Sequence, residues 1–447
     1  MASAAAALPR TPPVALPAPL RRASRLFPLL AVIALLATPP LGGEGSVTAA
    51  DGASGLLVVW ALVRVLRSGA RPLTRTAAVV MGLPVAGICV AAMGAADPGT
   101  AVAGLGRYLQ IFVLVPLAVV LLLRDRDDFR LAAAAVVALA LVEGGVGVHQ
   151  YLTATGASYM GEDIRAVGTF GAVDIMGMST VVSCGLLCSV GLALDPAPEA
   201  GRGRRRAALC CAALLLVPLA LSFSRGAWIA TAVAACALLL LSGVRRALAV
   251  TAVAAALTVV VAGGTGAGTQ LLQERLDSIT QVADAPDQSV TDRYTMWAAA
   301  GLMWRQTPLT GVGLKGFPAH RDANSSLALS SGSDTAGAGA AFKRQPLLSP
   351  HNMYLLVLSE QGLLGVVTLV GGWAALLTAG LRGLRGLRLA RRGGRGVDCA
   401  LIANGLLIWQ LVDFCYGDIG GPSTLVTALV LGLAAWCAIG GREAVRP

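Results

Sequence analysis

Long apolar runs separated by short, arginine-rich breaks dominate the pattern of this chain. They fall near 26–43, 47–66, 76–96, 101–123, 131–151, 171–194, 207–222, 226–244, 247–263, 351–381, 399–416 and 421–440. A helix rises about 1.5 Å per residue, so about 20 residues cross the roughly 30 Å of a bilayer's hydrocarbon. The pattern therefore predicts an all-α integral membrane protein of about twelve transmembrane helices. Its parts are a cytoplasmic tail over 1–25, nine helices over 26–263, a large external loop over 264–350, three helices over 351–440 and a cytoplasmic tail over 441–447.

Composition agrees with a bilayer-embedded chain: 56% of residues are hydrophobic, only 13% are charged, and 54 glycines permit close helix contacts. The net charge of +11 would fit a nucleic-acid partner, but its distribution accounts for it without one. Starting from a cytoplasmic N-terminus, 25 of the 35 basic residues fall in cytoplasmic segments, including the cluster GRGRRR at 201–206 and the loop LRGLRGLRLARRGGR. This is the positive-inside distribution, and it places both termini in the cytoplasm. The first apolar run lacks a small-residue cleavage site after it and reads as a retained helix. The nine cysteines lie mostly within apolar runs and form no C-x-x-C pair, so neither a disulfide framework nor a zinc site is expected.

The loop over 264–350 is too long to be a passive connector. Leu271, Leu272, Leu276 and Ile279 fall at helical spacing, which predicts one amphipathic helix. Tyr294, Trp297, Ala298, Gly301 and Leu302 predict the apolar face of a second, begun by the capping pair Ser289 and Asp292, ended by Pro308, and resting on the membrane interface. Residues 323–341 read as a mobile, low-complexity stretch.

Several motifs bear on chemistry. GVGLKG (311–316) has the spacing G-x-G-x-x-G, but no strand precedes it, so turn-forming glycines are the better reading than nucleotide binding. RDRDD (124–128) offers aspartates for a metal, or a cytoplasmic turn neutralised by its own arginines. Arg225, in SFSRGAW, lies one membrane thickness from Arg206 and from Arg245, at the outer mouth of a tight hairpin. It either snorkels to lipid phosphates or clamps a phosphate with its guanidinium fork. Arg293 enters the first turn of a predicted helix, where a cation opposes the helix dipole and an anion would relieve the conflict. Arg275, Arg305, Lys315, Arg321, Lys343 and Arg344 add positive charge to the same loop.

The stretch SPHNMYLLVLSEQGLLG (349–365) contains one of only three histidines. Ser349 suits an N-cap and Pro350 a first helical position, which puts His351 in the first turn. There the positive helix end favours the neutral ring, able to accept a proton. Glu360 lies nine residues further on, about 13 Å along a helix, near the membrane interface.

Four blocks in order resemble the O-antigen ligase and polymerase superfamily of bacterial membrane glycosyltransferases: RAVGTFGAVD (165–174), SFSRGAW (222–228), DRYTMWAAAGLMWRQTPLTGVGLKGF (292–317) and HNMYLLVLSEQGLLG (351–365). The resemblance implies a type-C glycosyltransferase-like fold in the bacterial cytoplasmic (inner) membrane, with its active site on the outer face. It implies a polyprenyl-diphosphate-linked glycan as donor, a hydroxyl on a glycan, lipid or other molecule as acceptor, and inverting transfer without metal or cofactor. Arg225 and Arg293 would hold the diphosphate, His351 would be the general base, and Glu360, Asn352, Arg321, Lys315 and Arg165 would support them. The phrase GAVDIMG departs from the family's Asn-rich pattern and leaves Asp174 without an inherited role. A polysaccharide polymerase extending lipid-linked repeats is the alternative within the superfamily. A polysaccharide or lipid transporter and a non-catalytic membrane scaffold are alternatives outside it.

Overall fold

The computed structural model describes residues 18–40, 47–68, 73–159, 165–194, 201–243, 288–326, 329, 333–337, 343–345, 347–389 and 397–440. Along the chain run the helices α1 (Ala18–Leu35), α2 (Ala49–Ser68), α3 (Arg75–Met93), α4 (Pro98–Leu122), α5 (Arg126–Leu152), α6 (Gly177–Ala193), α7 (Arg202–Leu221) and α8 (Arg225–Ser242). They are followed by α9 (Gln288–Gln306), α10 (Phe317–Asn324), α11 (Met353–Leu389), α12 (Val397–Asp413) and α13 (Thr424–Ile439). Helices occupy eleven of the twelve stretches expected to span the membrane. The run 247–263 and the loop helix expected around Leu271–Ile279 lie outside the described residues. Six of the helices, α2, α3, α4, α5, α8 and α11, are long and apolar enough to cross a bilayer. The chain is a multi-pass membrane protein.

Local sequence sets the helix starts. Thr74 caps α3 by accepting the Ala77 N–H at 3.1 Å. Asp97 caps α4, with Pro98 in the first turn, where a missing N–H costs nothing. Asp125 caps α5 through the Asp128 N–H at 2.9 Å. The shorter helices α6 and α13 are apolar and buried almost all round, so they form the centre while longer helices surround them. Polar cross-links fix this centre: the Trp409 indole donates to Thr231 at 3.0 Å, and Thr231 donates to Ser183 at 2.8 Å.

At one end of the bundle the aspartates of RDRDD close an ion-pair clasp. Arg22 meets Asp127 at 2.9 Å and both Asp125 and Asp128 at 3.2 Å, and Arg25 also pairs with Asp128. Arg130 grips Asp398 at 2.6 and 3.1 Å and reaches Asp127 at 3.2 Å. The motif is therefore neutralised by arginines of α1 as well as by the neighbouring Arg130, which joins α1 to α5 and α5 to α12.

Two expectations need correction. The helical bundle carries a small addition where a mobile stretch was expected: Ala157–Tyr159 (β1), Ser333–Gly337 (β2) and Lys343–Gln345 (β3) form an antiparallel sheet in the order β1-β2-β3. The low-complexity stretch thus supplies the central strand, because backbone pairing does not depend on side-chain complexity. The face of α9 expected to rest on the membrane interface leaves Tyr294 and Leu302 exposed, while Met296, Ala299, Ala300 and Met303 pack inward. Small residues and methionines allow the closer approach to α11. Finally, His351 does not sit in a helical first turn, as described below.

Candidate functional site

The site is built around a break in α11. Gly362 has φ +60°, so the helix opens there and leaves backbone groups without intrahelical partners. The segment after α9 fills the break. Pro308 and Leu309 carbonyls accept from Leu363 and Leu364 at 2.9 and 3.1 Å, while Val312 and Gly313 donate to the Ser359 and Glu360 carbonyls at 2.8 and 3.1 Å. Gly313 (φ +93°) runs so close to α3 that a Cβ would come within 2.6 Å of Ala95 Cα. These contacts explain the glycines of GVGLKG: the motif is a backbone wedge in a broken membrane helix. Glu360 secures it, its carboxylate accepting the Phe317 N–H at 3.2 Å with Lys315 beside it. Glu360 and Lys315 therefore hold the wedge rather than face His351.

The break also holds an unusual polar group. Tyr108, Glu360 and Gln361 are buried, and Tyr108 Oη, Glu360 Oε2 and both side-chain polar atoms of Gln361 have no hydrogen-bond partner among the described residues. An aromatic stack of Tyr108, Phe112, Trp373 and Phe414 lines this region, with Tyr354 edge-on to Trp373 and Phe414.

His351 precedes the helix. Asn352 is the N-cap of α11, its side-chain oxygen accepting the Leu355 N–H at 3.0 Å, so the expected Ser349 cap is displaced by three residues. His351 is half-buried and left-handed at φ +47°. Such a conformation costs a non-glycine residue about 1–2 kcal/mol. Flanking bonds hold it: the Trp297 indole of α9 donates to the Pro350 carbonyl at 2.8 Å. The Met353 N–H donates to the Phe414 and Gly417 carbonyls at 2.9 and 3.0 Å, and Asn352 Nδ2 donates to Cys415 at 3.1 Å. Burial pushes the His351 imidazole below its ordinary range, with Asp418 opposing that shift and Arg293 adding to it. The direction favours the neutral ring, and its cause is burial rather than a helix end. Among the described residues, the left-handed non-glycines are Ala154, Phe223, Lys315 and His351, and the last three fall in the four sequence blocks. Strained backbone clusters at functional positions.

The loop over 414–423, between α12 and α13, gathers the remaining groups. Gly226 packs on Tyr416, which brings the start of α8 and Arg225 against this loop. Asp174 accepts the Ser423 N–H at 2.9 Å, and Arg107 lies between Asp51 and the Gly421 carbonyl, the latter at 3.4 Å. Arg225 opens α8, where a cation opposes the dipole and amide N–H groups favour an anion, whereas Arg293 is the sixth residue of α9 and lies beyond the first turn expected for it. Arg293 is an electrostatic neighbour of His351, and Asn352 adjoins it in the chain. Two expected supporting residues have other positions. Arg321 donates to the Leu347 carbonyl at 2.6 Å and pairs with Asp322 at 2.7 Å, tying α10 to the approach to His351. Arg165 pairs through its backbone with Ala157, extending β1. Sequence reasoning missed Asp413, an acid near the end of the apolar run 399–416, and Asp418, whose one available signal was its place in the short gap between two apolar runs. Among the described residues, no group of three or more His, Cys, Asp and Glu is arranged to hold a metal ion.

Comparison with known proteins yields no matching curated sequence. A family model described as O-antigen ligase does match, over residues 210–370. The matched segment contains Arg225, Arg293, the wedge, His351 and the broken helix, and over that segment the chain is similar to the O-antigen ligase family.

Proposed function

We propose that this protein transfers a glycan from a polyprenyl-diphosphate carrier to an acceptor hydroxyl at the outer face of the bacterial cytoplasmic membrane, as an O-antigen ligase-like enzyme. The observation that carries the reading is His351, held in a left-handed turn with Arg293 as its electrostatic neighbour, within the segment matching the O-antigen ligase family. In this reaction the acceptor oxygen forms a bond to the anomeric carbon while its proton passes to a His351 ring nitrogen. The bond from that carbon to the diphosphate oxygen breaks, and its electron pair leaves with the diphosphate. Attack opposite the leaving group inverts the anomeric centre. Arg225 and Arg293 neutralise the charge developing on the diphosphate, an effect worth most where water is excluded. A base within hydrogen-bond reach of the hydroxyl contributes about 10²–10⁴-fold.

The test incubates purified protein with polyprenyl-diphosphate-linked glycan and candidate acceptors. A single transfer identifies a ligase, and a ladder of lengthening products identifies a polymerase of the same superfamily. Movement of the donor across the bilayer without any glycosidic product would overturn the enzyme reading in favour of a transporter.

A further inference from the structure

A base next to a diphosphate site faces a physical conflict. The cations that hold the diphosphate also oppose protonation of the histidine, so the ring accepts the acceptor's proton against the field of Arg293. An anion on another side of the ring would offset that field, and the 414–423 loop supplies one. The His351 turn is stapled to this loop by three backbone-directed bonds, from Met353 to Phe414 and Gly417 and from Asn352 to Cys415. Asp418 is the next residue after Gly417.

Asp418 Oδ2 is buried and has no hydrogen-bond donor among the described residues. A carboxylate oxygen shielded from water without a donor is uncommon and costly. The charged groups acting on His351 are Asp418 from the loop and Arg293 from α9. Behind Asp418 stand Asp413 at the end of α12, Glu360 on α11 and Tyr108 on α4. Glu360 is committed to the wedge, and Tyr108 faces Glu360 and Gln361. His351 and Asp418 are not hydrogen-bonded to each other in this structure, but of the groups named here the imidazole is one with an N–H to offer Asp418.

We propose that Asp418 is the positioning residue of His351: its carboxylate accepts one imidazole N–H and turns the other ring nitrogen toward the acceptor hydroxyl. When His351 takes the acceptor's proton, the imidazolium charge then lies against a carboxylate, and Asp418 itself remains ionised. Its contribution to rate rests on the transfer reading above, whereas the pairing itself is measurable without turnover.

Because the chain has only three histidines, ¹⁵N-histidine labelling yields few ring signals to assign. Replacing Asp418 removes an anion that favours imidazolium, so Asp418→Asn lowers the His351 titration midpoint by about one pH unit or more. The acid limb of the transfer rate moves down with it, and the plateau falls about tenfold or more. Asp418→Glu restores part of both. An unchanged His351 midpoint in Asp418→Asn, with His149 and His320 signals intact, overturns the pairing. Should that variant fail to fold, the unaltered protein decides: one fixed His351 tautomer with a hydrogen-bonded N–H supports the pairing, and a mixture of tautomers overturns it. Absence of glycosidic product from unaltered protein would count against the transfer reading and leave a pairing seen in the ring titration standing.

Discussion

The two ends of the bundle use the same residue types in opposite ways. At the end where α1 meets α5, arginines and aspartates are matched within ordinary ion-pair distances, and regular caps begin the helices. At the His351 end the backbone is left-handed at three block residues, a membrane helix is broken, and polar atoms of Tyr108, Glu360, Gln361 and Asp418 lack partners. Charges matched in this way mark a clasp, in which the buried Arg25 Nε is the exception without a hydrogen-bond partner among the described residues. Incomplete satisfaction in a strained frame marks a place where another molecule completes the arrangement.

Substitutions at each end sharpen this contrast. His351→Ala has the largest expected effect, lowering glycan transfer about 10²–10⁴-fold while donor binding to the arginines persists. Unaltered protein should remain active below the ordinary imidazole midpoint of about 6.5, because its depressed ring stays neutral there and loses activity only as it becomes protonated at lower pH. A rate profile with its acid limb above that value contradicts the buried-base description. Gly362→Ala forces a Cβ onto a left-handed residue packed against the Leu309 backbone, and costs about 1–3 kcal/mol from conformation alone. Thermal unfolding and transfer should both suffer, since the wedge and the His351 helix share the break. Asp128→Asn removes the charge joining Arg22 and Arg25 to α5, costing on the order of 2 kcal/mol. Here the melting temperature should fall while activity per folded molecule holds; loss of activity without loss of stability would erase the contrast between the ends. Asn352→Ala removes a cap worth about 1 kcal/mol, together with a bond to Cys415. A small loss of stability with a larger loss of rate would locate its importance in holding His351.

Much of this was legible in the chain, and what was not has definable causes. Apolar runs give helices because a bilayer leaves the backbone no other economical pairing, and the observed helices follow those runs closely. His351, Arg225 and Arg293 stood out because polar residues are scarce among such runs. Their surroundings did not stand out. Asn352 lies 63 residues from Cys415 and Asp174 lies 249 from Ser423, and no local pattern encodes such contacts. Tyr294 and Leu302 mark the exposed side of α9, but no local pattern singled out the small residues and methionines that pack on another side. The SEQG stretch carried a signal of its break, two polar residues and a glycine inside an apolar run, but not the identity of the segment that fills it.

The 414–423 loop has a consequence for biosynthesis. A ribosome makes Asp174, Arg225, Arg293 and His351 before it makes any residue of the loop that gathers them. Until α12 and α13 are inserted, the His351 turn lacks its staples to Phe414, Cys415 and Gly417. A nascent chain therefore carries the side chains proposed to react through most of its synthesis without the frame that holds the His351 turn, and that frame is completed in one late step.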